Sequence, residues 1–475
     1  MDGAAKERES KGIGGEEELN IFAPSRGTDR PPRRKRASLF LATARAEKER
    51  GEGWEGIDRS VVVIRAGSQL CSSLESDRPP RPRAQMVESE GELEAACAAA
   101  VLTPPLALEG GLAAELRPAN LAQRVLSLFR NVSPGSDLSH FQLPATFNLP
   151  KSQLQMYGEG VYCAGVDLLG RCARGKDSLE RLTAVVAWSI STTRPPIFGF
   201  APYNPVLGET HHVSRGPLNV LLEQVSHRPP VSALHATDAA GDVRLVWCQS
   251  PVPRFHGASI EAAVRGRRQV RLVRHGERYE VDCPNLLIRL LPAPSVEWAG
   301  DVRVVCADSG LEAEFSYCRS RSFLGFGGDA RCVRGRVFRS AAREETVYEI
   351  DGSWDRTVSL KDVATGEVSV LYDAHQAIGN LTTPAVQDHK GVAPSESAVV
   401  WGEVSDALLK KDWEKARQAK RRVEDEARTL AKERNDKGEV WTPKHFSLSQ
   451  NKNGEWECWP LEDSVPPAPI VVPSS

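Results

Sequence analysis

The chain has 475 residues, is 40% hydrophobic, and carries 61 Lys+Arg against 63 Asp+Glu, a net charge of -2. The length predicts two or three domains, or one large β-barrel occupying most of the chain. The balanced charge excludes a strongly basic nucleic-acid binder, because phosphate binding needs a surplus of Lys and Arg. No apolar run approaches the roughly 20 residues that cross a bilayer as a helix, and no apolar stretch near Met1 reads as a signal peptide. Ten cysteines without a C-x-x-C pair read as reduced thiols in the cytosol.

From Met1 to Glu94 there are 17 Lys/Arg and 18 Asp/Glu, few aromatics and no sustained period. Residues 1–94 are therefore expected to be a disordered, low-complexity extension. Arg30 to Arg36 and Arg78 to Arg83 are basic clusters broken by proline, of the kind that contact anionic surfaces or are simply solvated. Only Ser60 to Ile64 has the pattern of a strand. The folded domain is expected from about 116 to 460.

Asn120 to Val132 places Leu121, Val125, Leu128, Phe129 and Val132 at helical spacing, and Pro134-Gly135 ends the run. An extended apolar strip broken by Pro144 and Pro150 follows. Leu179 to Ser191 predicts a helix with Leu179, Leu182, Val186 and Ile190 along one side. Between Leu218 and Tyr372, ten short β-prone runs are separated by Gly, Pro, Asp or Ser, and many alternate apolar with polar residues. That spacing predicts a large antiparallel barrel or sandwich, whose interior is wide enough for a ligand. From Ser405 to Arg434 a helical stripe runs through Leu409, Trp413, Ala416, Val423, Ala427 and Leu430. Residues 438–459 predict short strands or turns, and 461–475 a Pro-rich tail.

Few motifs carry chemistry. Gly170 to Asp177 resembles a phosphate loop, but Asp177 stands where a magnesium-binding Ser/Thr belongs and no buried strand precedes it. Gly325 to Ala330 is glycine-rich without the strand-glycine-helix setting of a dinucleotide site. His211 and His212 are adjacent and point to opposite faces of a strand, a poor arrangement for a metal. Neither a nucleophile nor a metal centre assembles, so neither enzyme, cofactor nor metal is expected. The dense polar signal is Glu223 to Ala236, EQVSHRPPVSALHA: a strand ends in an acid, an amide, a hydroxyl, an imidazole and a guanidinium, and Pro229-Pro230 fix the turn. Donors held still in this way suit an anion such as phosphate.

EQVSHRPP resembles the fingerprint E-Q-V-S-H-H-P-P of the oxysterol-binding protein-related lipid-transfer proteins. Tyr203 to Thr210 resembles that family's N-P-x-L-G-E-T segment, and Asp351 to Asp355, the Lys/Glu/Arg helix and Trp441 to Phe446 fall in the family's order. The resemblance covers about Asn120 to Trp459, and is to short plant-type members without a pleckstrin domain. It implies a mainly β, α+β fold: a large antiparallel β-barrel (about 204–373) around a lipid tunnel, an N-terminal lid (about 120–147) and C-terminal helices. It also implies an exchange activity, carrying a sterol or similar lipid in one direction and phosphatidylinositol 4-phosphate in the other, by a cytosolic protein peripheral on intracellular membranes. The headgroup residues implied are Asn204, His227, Arg228 and the i, i+4, i+8 trio Lys420, Glu424 and Arg428. The lid residues implied are Leu121, Val125, Leu128 and Phe129. Without the resemblance, the trio reads as a solvated helical face.

Two positions depart from the family pattern. Arg228 replaces the second fingerprint histidine, keeping a cation with a longer reach, and Ala201 replaces a lysine, removing a donor. A sensor or scaffold that binds lipid without transferring it, and a tunnel for phosphatidylserine in place of sterol, fit the same residues.

Overall fold

A computed structural model of the protein describes residues 100–473, apart from 109, 140, 163–166, 318–330, 380 and 453. The extension expected over 1–94, its strand at Ser60 to Ile64 and the Gly325 to Ala330 turn lie outside the described residues.

The N-terminal half supplies α1 (Leu121–Leu128), β1 (Asn148–Ser152), α2 (Gln153–Tyr162), α3 (Leu168–Arg174), α4 (Ser178–Ser191) and β2 (Ala201–Tyr203). Strands then follow in close succession: β3 (Thr210–Arg215), β4 (Leu218–His227), β5 (Pro230–Asp238), β6 (Val243–Phe255), β7 (Ser259–Leu272) and β8 (Glu277–Val281). After them come β9 (Asn285–Arg289), β10 (Ser295–Cys306), β11 (Leu311–Tyr317), β12 (Cys332–Arg339), β13 (Ala342–Ser353), β14 (Thr357–Asp362) and β15 (Val368–Asp373). The C-terminal part is α5 (Ala374–Ile378), β16 (Ala385–Val386), α6 (Ser397–Val400), α7 (Gly402–Leu409), α8 (Trp413–Lys437), β17 (Phe446–Gln450), β18 (Trp456–Pro460) and β19 (Ile470–Val471).

The period-two patterning of the central sequence becomes one 15-stranded sheet in which consecutive strands are mostly antiparallel neighbours. Along β10 and β11 the inward set Val302, Val304, Cys306, Leu311, Ala313, Phe315 and Tyr317 is buried. A single apolar cluster joins residues of β3 to β8 and β10 to β15 to those of α4, so the sheet curls around that helix as a barrel wall. The alternation has a direct consequence for α4. Its sequence shows an apolar stripe on one side, yet Ala184, Val185, Ala187 and Trp188 are buried along with Leu182, Val186 and Ile190. A helix enclosed by a curved sheet has no solvent side. Its first turn is anchored by Arg181, which donates to both oxygens of Glu277 on β8 at 2.7 and 2.6 Å.

Several expectations are corrected. Two of the ten expected β-prone runs, Ala258 to Val264 and Gln269 to Arg274, are one strand, β7, which continues through Gly266, where φ is +122° and a Cβ would collide with the Cys248 carbonyl. Residues 230–238, 285–289 and 357–362 are strands that their mixed composition hid. The helix expected over 405–434 is two helices, because Lys411 adopts φ 58° and the Asp412 side chain caps the second by accepting from Lys415 N. The first helix ends at Leu128, not Val132. Packing starts before 116, with Val101 N donating to Ala398 O and Leu106 3% exposed. The expected tail is also part of the fold: Val465, Ile470 and Val472 are buried, and β19 runs parallel to β3 and pairs with β16. Two isolated bridging residues leave no periodic signal, so composition alone read the segment as a tail. Lastly, Cys332 is disulfide-bonded, against the expectation of reduced thiols, whereas Cys172, Cys248, Cys283, Cys306 and Cys458 are free.

Two outcomes follow from this packing. Removing residues 464–475 should lower the urea midpoint by an amount equivalent to about 3 kcal/mol or more, because burying each of Val465, Ile470 and Val472 contributes about 1.5–3 kcal/mol. An unchanged midpoint would mean that the β19 pairing adds nothing. The second concerns His235 on β5, which is 2% exposed and has no partner for Nε2. Burial, aided by Arg244, pushes its pKa down to about 4. A depressed folded-state value gives stability that is full above the ordinary 6.5 and is lost as pH falls toward 4, an effect of about 3 kcal/mol. Urea titrations at pH 7, 5.5 and 4.5 should show this loss and a shallower one in His235→Gln; identical pH slopes would exclude the histidine as its source.

Candidate functional site

The hairpin of β4 and β5 uses most of the fingerprint's polar groups for its own construction. Glu223, 0% exposed, accepts the backbone N–H groups of Lys444 at 2.8 Å and His445 at 2.9 Å. Gln224 donates to Ser226 O at 2.8 Å and accepts from Ser232 Oγ at 2.6 Å, while Ser226 Oγ donates to Pro229 O at 2.8 Å. The Arg228–Pro229 bond is cis. What remains at the tip is His227, half-buried with Nδ1 3.2 Å from Pro205 O, and Arg228, exposed to solvent.

The segment Tyr203 to Thr210 runs beside this tip. Tyr203 is fully buried, stacked on Trp401 at 4.5 Å, with its hydroxyl 3.1 Å from Ser405 Oγ. Asn204 is exposed. Gly208 N donates to Gln224 O at 3.0 Å, and a Cβ on Gly208 would lie 2.6 Å from the Trp441 indole, so only glycine fits. Glu209 is buried and accepts from Val206 N at 3.0 Å, Ser397 Oγ at 2.7 Å, Trp401 Nε1 at 2.9 Å and Ser152 Oγ. Burial raises its pKa, and these hydrogen bonds oppose the rise. Asn204 and His227 are thus held side by side, through Pro205, on a backbone fixed at both ends.

The C-terminal trio approaches from α8. Ala416 and Ala419 pack in one cluster with Tyr203 and Trp401, and Val206 and Val423 lie against it, which seats the helix on the segment carrying Asn204. Along its face Lys420 Nζ lies 3.5 Å from Glu424 Oε1, and Arg428 Nη2 lies 3.3 Å from Glu424 Oε2. Arg428 also pairs with Asp425. The trio is therefore a continuous chain of ion pairs, with Arg428 at its exposed end. Lys420 differs from an ordinary helix lysine: it is 9% exposed, and its Nζ donates to the backbone carbonyl of Leu143. Burial lowers its pKa, opposed by Glu424.

Leu143 belongs to the segment expected as a lid. Leu121 and Val125 are buried against Phe147, Phe255, Ile260 and Leu290, with Leu128 and Phe129 half-buried at the same cluster. Phe129 stacks between Phe141 and Phe255 at centroid distances of 5.2 and 5.5 Å. Backbone hydrogen bonds from Gly135 N to Phe255 O and from Leu138 N to Pro253 O fasten the segment to the end of β6. The expected lid residues therefore pack on the end of β6 and the start of β7, and Lys420 ties their segment to the trio. Between Arg228 and Arg428 the structure gives no direct contact.

Sequence reading missed Leu143, whose carbonyl carries no side-chain signature, and gave no role to Glu223, the first polar group of the fingerprint run. Glu223 pins the segment before β17. Replacing it by Ala should cost about 2–3 kcal/mol, since two backbone N–H groups lose their acceptor. The same change should open a protease-sensitive site between 438 and 446. Retained stability and an unchanged digestion pattern would show the clamp to be dispensable.

The fold and the site can be set beside known proteins. The sequence profile of the family described as Oxysterol-binding protein matches residues 125–465. Oxysterol-binding protein-related protein 4C of Arabidopsis thaliana is 50% identical over 376 residues, covering 78% of this chain and 98% of the relative. Oxysterol-binding protein-related protein 4A of the same plant is 46% identical over 374 residues, covering 78% of this chain and 96% of the relative. Among solved structures, the Osh1 ORD domain in complex with cholesterol matches with a TM-score of 0.60 at 22% identity, over 79% of this chain and 93% of that one. The Osh3 ORD in complex with PI(4)P from Saccharomyces cerevisiae matches with a TM-score of 0.56 at 21% identity, over 77% and 94%. Those two likenesses establish the fold. With the profile match and the close plant relatives on the same residues as the fingerprint hairpin, the chain belongs to the oxysterol-binding protein family, whose members bind lipids and are not enzymes.

Proposed function

We propose that this protein takes a single membrane lipid into its barrel and exchanges a sterol or similar lipid for phosphatidylinositol 4-phosphate between membranes. It would work from the cytosol as a peripheral visitor to intracellular membrane surfaces. Support comes from the barrel, the lid and the cationic rim together, and from the matched structures, one holding cholesterol and another PI(4)P. The single observation carrying the reading is Lys420. A buried ammonium whose partners are one lid carbonyl and one shared carboxylate is a poor resting arrangement, and a phosphate supplies the stronger partner.

The chemistry at the rim follows from the side chains. Arg228, Lys420 and Arg428 present donors to an anion, His227, whose Nδ1–H goes to the Pro205 carbonyl, adds an Nε2–H as an imidazolium, and Asn204 presents an amide to a neutral hydroxyl of the headgroup. A phosphomonoester carries about -1.5 to -2 charge, so several charge-assisted hydrogen bonds are available to it. Glu424 holds the two flanking cations apart and in line while they wait. When a headgroup draws Lys420 away from Leu143, the lid loses one of its fasteners, which couples headgroup capture to lid movement. The lid's apolar side chains, released from the rim, would face the bilayer. Arg228 preserves the charge of the tip that a second histidine would supply only in part at neutral pH.

Arg428→Glu is expected to reduce extraction of phosphatidylinositol 4-phosphate from liposomes by about tenfold or more, since a charge-assisted contact contributes about 1.5–3 kcal/mol. Uptake of a fluorescent sterol by the same variant should be unchanged. Equal extraction of the phosphoinositide by Arg428→Glu and Arg228→Ala variants and the wild type would remove the phosphate site from the rim, and with it the exchange.

A further inference from the structure

Far along β7 from the rim strands' lid contacts lies a buried cation that the headgroup reading does not use. Arg268 shares the inward face of its strand with Val270 and Leu272 and is 2% exposed. Its guanidinium donates to Thr192 Oγ1 at 2.9 Å, to Ser189 Oγ at 3.4 Å and to the Asp282 backbone carbonyl. These partners are neutral oxygens, and no carboxylate is among them. The guanidinium carbon also lies 5.8 Å from the Trp188 ring and 5.3 Å from the Trp247 ring. Cys283 stands beside it, but burial pushes that thiol's pKa up against the pull of Arg268, so no thiolate supplies a counter-charge.

The hydrogen-bonding inventory around this cation is incomplete in a patterned way. Arg268 Nε, Trp188 Nε1 and Trp247 Nε1 are buried donors without a partner, and Gln249 Oε1 is a buried acceptor without one. Gln249 Nε2, by contrast, is engaged with Cys283 Sγ at 2.9 Å. Trp247 is paired directly with Arg268 across β6 and β7, and Gln249 is two residues on along the same face of β6. One buried unmet polar atom is a local compromise, whereas the Nε of an arginine without a counter-ion and the N–H groups of the two indoles packed on its guanidinium, all unmet, call for an acceptor carrying negative charge.

We infer that Arg268, Trp188 and Trp247 form an inner subsite for the acidic end of a carboxylate-bearing lipid whose hydrocarbon lies in the barrel. This rests on the reading of the barrel as a lipid container. A carboxylate offers two oxygens and about four lone-pair directions, enough for the three donors, and neutralises the guanidinium. A simple alcohol satisfies part of the donor set and leaves the charge uncompensated. The subsite shares no residue with Asn204, His227, Arg228 or the Lys420 trio.

The test uses the full chain titrated calorimetrically with oleate and, separately, with oleyl alcohol, which share a chain and differ at one end. The wild type should bind oleate about tenfold or more tightly than the alcohol, the scale of one charge-assisted hydrogen bond. In Arg268→Gln that preference should vanish while affinity for the alcohol stays within about twofold, and Arg268→Lys should keep part of it. Equal affinity of the wild type for the two amphiphiles overturns the inference, even if Arg268→Gln does not fold. So does a preference that survives in Arg268→Gln. If neither amphiphile binds while phosphatidylinositol 4-phosphate is still extracted, the inner subsite is wrong and the lipid reading stands. If nothing is extracted or bound, the lipid reading itself has failed.

Discussion

Glu209 is a carboxylate removed from water, and the parts of the chain that frame the rim are fastened to it. Its donors come from Ser152 at the end of β1, from Val206 in the segment bearing Asn204, and from Ser397 and Trp401 in the helical region after the barrel. A buried carboxylate without such partners would neutralise or unfold its surroundings; with four donors it fixes where three distant stretches of sequence meet. Trp401 then stacks on Tyr203, and α8 packs on both, so the position of Lys420 and Arg428 depends on that one side chain at two removes. Glu223 repeats the device on the other side of the hairpin, holding Lys444 and His445 by their backbones. Two acids of the motifs thus tie together the segments around the candidate site.

The same economy governs the segment expected as a lid. Its hydrophobic contacts hold the helix to the rim strands, and burial of Leu121 and Val125 alone contributes about 1.5–3 kcal/mol each. A polar bond, from Lys420 to the Leu143 carbonyl, joins this apolar seal to the charged face of α8. Under the exchange we propose, an anion competes for that ammonium on far better terms than a neutral carbonyl does. Closure by apolar packing and release by charge are then separate controls, the first responsive to a bilayer and the second to a headgroup.

Charge is distributed unevenly within the fold. The exposed faces carry ion pairs of the kind that contribute little, such as Lys361 with Glu349 or Arg417 with Glu414. Buried cations are rarer, and each has a distinct setting. Arg181 is neutralised in full by a bidentate carboxylate, and Lys151 by Glu159 at 2.5 Å. Lys420 is neutralised in part, and Arg268 by neutral oxygens and ring faces alone. The first two read as architecture; the last two are where a ligand has something to add.

The local rules of the chain were enough to fix its class. Period-two alternation between Leu218 and Tyr372 specified antiparallel strands, because a wall with one wet face must alternate, and the eight residues EQVSHRPP with the Tyr203 to Thr210 segment specified the family. Helix positions followed wherever one face was apolar, as at Leu121 to Leu128. Tertiary structure decided what neighbouring residues cannot encode. The all-round burial of α4 required a sheet curled about it, and the place of Ile470 and Val472 required an edge of that sheet to receive them. The role of Glu223 depended on the segment at Lys444, more than two hundred positions away, whose backbone occupies it. Lys420, which without the family resemblance reads as part of a solvated helix face, is covered by the Leu143 carbonyl, and Arg268 meets Trp188 of α4. Each of these is a long-range contact, set by how the chain returns on itself. Periodicity reports only which face of an element is buried; it does not report what lies against that face.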